Sequence, residues 1–114
     1  MTEYLVTGTR AYGPARKDSD LDIVMYYWEA EEIKNFLKNN YPTIDITETD
    51  QHNSQYRSFY IEFLDIKINI IVVTNKEEYN CWRQATEKMK KIRPIHNRRI
   101  RIEKFEKFFN GGEL

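Results

Sequence analysis

The 114 residues hold one cysteine, two histidines, three prolines and four glycines, and each scarcity removes a class of protein. Cys81 has no second cysteine to pair with, which sets aside disulfide-stapled secreted scaffolds and predicts a reduced, cytoplasmic protein. His52 and His96 are far apart and show no metal-ligand spacing, which argues against a zinc site. No apolar run approaches the length of a membrane span; the longest, around Ile70–Val73, is strand-sized. Met1-Thr2-Glu3 lacks the basic region and apolar stretch of a signal peptide, so none is expected. With no repeat, linker or low-complexity tract in view, residues 1–114 read as a single domain with one core.

What is present fits a packed fold. Hydrophobic residues make up 40% and aromatic residues 14%. The net charge is zero, but it is divided unevenly. Residues 1–74 carry 7 Lys/Arg and 12 Asp/Glu, a balance of −5, whereas residues 75–114 carry 11 and 6, a balance of +5. Between Lys88 and Arg101 lie seven basic residues and no acidic one. An acidic half beside a basic half suits a site that holds metal with one and polyphosphate with the other; it is equally what a solvated helical face looks like.

Tyr4–Thr7 and Leu21–Tyr27 read as strands, the second apolar enough to be central. Trp28–Lys38 has the spacing of a helix with Ala30, Ile33, Phe36 and Leu37 inward, stopped by Asn39-Asn40-Tyr41-Pro42. Thr43–Thr49 is a weaker strand. Tyr56–Leu64 and Ile66–Val73 form a hairpin pattern turning near Leu64-Asp65. Thr74 with Glu77, or Asn75 with Glu78, caps a helix that runs to about Lys91 with Tyr79, Trp82, Ala85 and Met89 at core spacing. A last helix, about Asn97–Phe109, turns Ile102, Phe105 and Phe109 inward and ends at Gly111-Gly112. Strands first and mostly helices after predict an α+β fold, a mixed sheet of four to five strands flanked by about three helices.

Chemistry concentrates between Gly8 and Asp22. A glycine directly after a strand lets backbone N–H groups approach a phosphate, and Thr9 adds a hydroxyl donor. A short helix beginning near Thr9 would aim its positive end at the same place. Gly13-Pro14 turns the chain, and Ser19 then precedes Asp20 and Asp22 at the start of the second strand. Carboxylates two apart in a strand project from one face with Cα atoms about 6.6 Å apart. They repel unless cations lie between them, so the pair suits oxygen-loving Mg²⁺ or Mn²⁺. A two-metal site with ions about 3.5–4 Å apart fits such a pair, usually with a third carboxylate from a neighbouring strand.

The order Gly8-Thr9, Gly13, Ser19-Asp20-Leu21-Asp22, then the apolar Ile23-Val24, resembles the minimal nucleotidyltransferases of the DNA polymerase β superfamily. Their pattern is Gly-Ser, three residues, Gly, and later Ser-Asp-x-Asp before an apolar strand. The motif spans the first fifth of the chain, and Thr for Ser at position 9 keeps the hydroxyl. The resemblance implies an α+β nucleotidyltransferase fold and transfer of a nucleoside monophosphate from a Mg²⁺- or Mn²⁺-bound triphosphate, ATP by first choice, to an acceptor hydroxyl. It implies metal at Asp20 and Asp22 and triphosphate at Gly8 and Thr9, with Arg10, Gly13 and Ser19 in the same loop as nucleotide-binding candidates. Tyr12 lies there too.

The family's third carboxylate sits on a later strand between apolar residues. Asp65, between Leu64 and Ile66, has the right chemistry for metal and catalysis. Asn69, within Ile68–Val73, has the better strand context but lacks the charge. With period two, Asp65, Lys67 and Asn69 share a face, so both positions stay open. Three functions compete: the transferase; a non-catalytic nucleotide- or partner-binding relative, antitoxin-like by analogy; and a nucleic-acid binder using Lys88–Arg101. The acceptor, whether protein, small molecule or RNA, is not encoded in any appended segment, which predicts an open site or one completed by a partner protein or a second copy.

Overall fold

The structure is a computed structural model that describes residues 3–49 and 57–114. Among these residues five strands and four helices follow in the order β1 (Tyr4–Thr7), α1 (Thr9–Tyr12), β2 (Leu21–Tyr26), α2 (Tyr27–Asn40), β3 (Asp45–Thr49), β4 (Arg57–Phe63), β5 (Ile66–Val73), α3 (Lys76–Lys90) and α4 (Arg98–Phe109). The expected α+β class and mixed sheet are therefore present, with the single turn of α1 as a fourth helix. Expected features at His52 and Tyr56 lie outside the described residues.

The sheet runs β1-β2-β5-β4-β3. β2 is parallel to β5, while β1–β2, β4–β5 and β3–β4 are antiparallel. The central strands β2 and β5 are the apolar runs LDIVMY and IKINIIVV, as burial on both faces requires. One face packs Met25, Phe59, Ile61 and Ile70 against Ala30, Ile33 and Leu37 of α2. The other packs Val24, Tyr26, Ile71 and Val73 against Tyr79 and Trp82 of α3, with Phe105 and Phe109 of α4 closing the edge. Asn75, not Thr74, caps α3: its side chain accepts from the Glu78 amide, while the Glu78 carboxylate accepts from Thr74 N and Oγ1. Asn97 caps α4 in the same way through the Ile100 amide.

Two inward positions differ from the helical reading. Phe36 is 56% exposed, and Lys34 is buried in its place. The Lys34 stem lies against the core with its ammonium over the Phe59 ring at 5.2 Å. It is neutralised by Glu31 at 3.0 Å and by Glu48 of β3, so α2 is tied to an edge strand. On α4 the fully buried residue is Phe108, packed with Ala85 and Met89, while Ile102 is exposed.

Candidate functional site

Gly8 ends β1 and begins the loop toward β2. Its backbone has φ 72° and ψ −166°, a region essentially reserved for glycine. The conformation turns the chain so tightly over β2 that a Cβ there would stand 2.2 Å from Asp22 Oδ2. Glycine is thus required twice, by dihedral and by the carboxylate against it. The Gly8 carbonyl accepts from the Ala11 and Tyr12 amides, and Gly13 N donates to Thr9 O. Those bonds close α1, and among the described residues the Thr9 and Arg10 amides have no such backbone partner.

The rest of the loop is braced from within. Arg10 donates from Nε and Nη2 to Ser19 O and from Nη2 to Lys17 O, at 2.9–3.1 Å. Ser19 Oγ accepts from Arg16 N at 2.7 Å. Arg10 and Ser19, both expected at nucleotide, hold the loop that delivers Asp20 and Asp22. Gly13, also at φ 72°, lies against Pro94 of the α3–α4 connection, which places that basic segment beside the loop.

Asp20 immediately precedes β2, and Asp22 lies within it. Strand register sets Thr7 opposite Asp22 on one side and Asn69 opposite it on the other, with Tyr60 beyond Asn69. These four residues form a row across one face of the sheet. Burial pushes the Asp22 carboxyl up to about 6, against a hydrogen bond from the Asn69 side chain that lowers it; nearby Asp20 raises it further. The Tyr60 hydroxyl is likewise raised, by burial first and then by Asp20 and Asp22.

The two candidates for the third position separate. Asn69 is the neighbour of Asp22. Asp65 lies in the turn before β5, four residues earlier, about 13 Å along the strand direction. The structure does not bring Asp65 to the Asp20–Asp22 pair, because the β2–β5 register is fixed by the apolar run from Ile68 to Val73. Among the described residues, no three histidine, cysteine or carboxylate side chains gather as a ready metal cage. Asp20 lies near enough to raise the Asp22 carboxyl and Asn69 bonds it, so the oxygens in the neighbourhood are hard donors of the kind Mg²⁺ and Mn²⁺ favour.

Above this floor opens a cavity of about 960 Å³, bounded by Thr7, Gly8, Asp22 and Asn69 below and by α3 and α4 above. Arg98 and Arg101 of α4 line it opposite Asp22, and Tyr12 stacks on Phe105 at its wall, ring centroids 6.1 Å apart. Burial pushes the Tyr12 hydroxyl up to about 12, with Arg101 lowering it and Asp22 raising it. Arg101 Nη1 is anchored to Ile95 O at 2.9 Å. The basic stretch is therefore divided. Arg98 and Arg101 face the site, Lys88 binds Gly112 O, and Lys90 and Arg99 pair with Glu87 and Glu103. The sequence showed a charge run but not which members would cross to the acidic side. That cavity role was missed because it depends on the angle between α3 and α4.

No helix among the described residues is long and apolar enough to cross a membrane. No protein-family model matches the chain, and no curated protein matches it either.

Proposed function

We propose that the chain is a metal-dependent nucleotidyltransferase that moves a nucleoside monophosphate from a triphosphate, ATP by first choice, to an acceptor hydroxyl in the cytoplasm. The observation that carries this reading is the close packing of Gly8 on Asp22, which sets the start of α1 directly beside a strand carboxylate. The Thr9 and Arg10 amides and the Thr9 hydroxyl would hold phosphate oxygens, and Arg98 and Arg101, which line the cavity, would supply cationic charge. Asp20, Asp22 and the Asn69 amide oxygen would hold the cation. When bound, Mg²⁺ or Mn²⁺ makes the acceptor oxygen more acidic and offsets charge on the triphosphate. The acceptor oxygen would form a bond to the α-phosphorus as the bond to the bridging oxygen breaks; pyrophosphate would depart and the acceptor's proton pass to solvent.

The decisive assay is incubation with α-labelled ATP and Mg²⁺ or Mn²⁺, with and without cell lysate, followed by mass spectrometry of any labelled product. Metal-dependent label that disappears in Asp20→Asn/Asp22→Asn supports the reading; label that persists there overturns it. A second reading, a nucleotide- or partner-binding module without turnover, is favoured by one observation, the neutral Asn69 beside Asp22. Nucleotide binding with no transfer to any acceptor would select it.

A further inference from the structure

The row Thr7–Asp22–Asn69–Tyr60 fixes which side chains share the face of Asp22. On β5 these are Lys67, Asn69, Ile71 and Val73, and none is acidic. On β4 they are Ser58, Tyr60 and Glu62; Glu62 is paired with Lys67, a lysine that stands over the Tyr60 ring at 4.2 Å. A cation-bearing side chain thus separates Glu62 from the site. Asp65 is held off by the register. Among the described residues of the sheet, the negative charge beside Asp22 is that of Asp20, while Glu77, Glu78 and Glu106 line the cavity from the helices above.

Asn69 itself is unusual. Its amide group bonds Asp22, yet its Oδ1 is buried and accepts no hydrogen bond from any described residue. Buried carbonyl oxygens are almost always satisfied, so an unmatched one in a residue that bonds Asp22 and lines the cavity marks a missing partner. A cation is a partner of the right chemistry, since amide oxygens are ordinary ligands of hard divalent ions.

We infer that the site holds one divalent cation per bound triphosphate rather than two, with Asn69 Oδ1 as a neutral ligand beside Asp20 and Asp22. The inference rests on the nucleotide-binding reading above. Its reason is charge. Two carboxylates balance one divalent ion, and at the sheet a second ion would gain only the Asn69 dipole where a third carboxylate would give a full charge. The cation that stays is the one shared with the triphosphate. The position that would activate the acceptor oxygen is the one left weak.

The test is a Mn²⁺ titration of the folded protein with a non-hydrolysable ATP analogue, counting bound ions from the loss of the free Mn²⁺ resonance signal. Wild type should bind one Mn²⁺ per bound nucleotide, and Asn69→Asp should bind two. Asn69→Leu, close in volume but without the oxygen, should weaken the single site at least tenfold, with circular dichroism confirming the fold. Two tight ions in wild type would overturn the single-cation inference and leave the nucleotide reading standing. No Mn²⁺ bound by folded wild type with nucleotide would overturn both. Unchanged affinity in folded Asn69→Leu would remove Oδ1 from the ligand set.

Discussion

Thr7 Oγ1 and Thr86 Oγ1 lie 2.6 Å apart in the buried core, joining the residue ahead of Gly8 to the middle of α3. Thr86 has one hydroxyl proton, and it is directed to Trp82 O at 2.8 Å. Thr7 is therefore the donor in the shared bond. The two threonines should respond unequally to the same change. Thr86→Val strands the buried Thr7 hydroxyl and should cost about 1–3 kcal/mol, whereas Thr7→Val removes the donor itself and should cost about 1 kcal/mol or less. Urea denaturation of both variants measures the difference, and equal losses would refute the donor assignment.

Gly8→Ala should fail on two counts. The dihedral alone costs about 1–3 kcal/mol for a residue with a side chain. The new methyl would also collide with Asp22 Oδ2 and push that carboxylate from the cavity floor. Melting temperature should fall, and triphosphate affinity by isothermal titration should drop at least tenfold. Affinity retained at the wild-type level would place the phosphate elsewhere.

The raised Asp22 carboxyl makes stability depend on pH in a definite direction. Burial favours the protonated form in the native state, so the folded protein holds this proton up to about pH 6. An unfolded aspartate releases it near pH 4. Stability from this group is full below about pH 4 and is lost as pH rises through about 6. Asp22→Asn should match wild type near pH 4 and exceed it at pH 8 by about 1–2 kcal/mol after solvent screening, in chelator. Denaturation curves at the two pH values test this. Added Mn²⁺ should narrow the gap at pH 8 by stabilising wild type alone.

Phe108 and Phe36 form a natural pair of controls. Phe108 is fully buried beside Ala85 and Met89, and Phe108→Ala should cost about 3–5 kcal/mol. Phe36 lies on the outer side of α2, so Phe36→Ala should change stability by about 0.5 kcal/mol or less. Comparable losses in the two variants would contradict the placement of both helices.

Residue patterns revealed the strands, the start of α3 at Thr74 or Asn75 and the Gly8–Asp22 loop, because each depends on neighbours within a few positions. The phase of α4 was harder to read. Ile100, Ile102, Phe105, Phe108 and Phe109 spread apolar groups around much of the helix, so spacing alone cannot say which side turns inward. Phe36 was misplaced because Lys34, an ordinary surface residue by type, is neutralised by two glutamates, one of them from β3. The choice between Asp65 and Asn69 needed the register between β2 and β5. A period of two puts both on one face and cannot say which stands beside Asp22.

β2 has an antiparallel neighbour close in sequence and a parallel one far away, and this gives the site an order of assembly. Thr7 and Asp22 are 15 residues apart, Asp22 and Asn69 47. Closing the longer segment costs about 1 kcal/mol more chain entropy before any contact repays it. The β1–loop–β2 unit is expected to form while β5 is still seeking its register, as local contacts generally precede distant ones. During refolding, the loop amides and Asp22 would then meet before Asn69 arrives. β5, docking after that unit, brings Asn69, the residue on which the inferred number of bound ions rests.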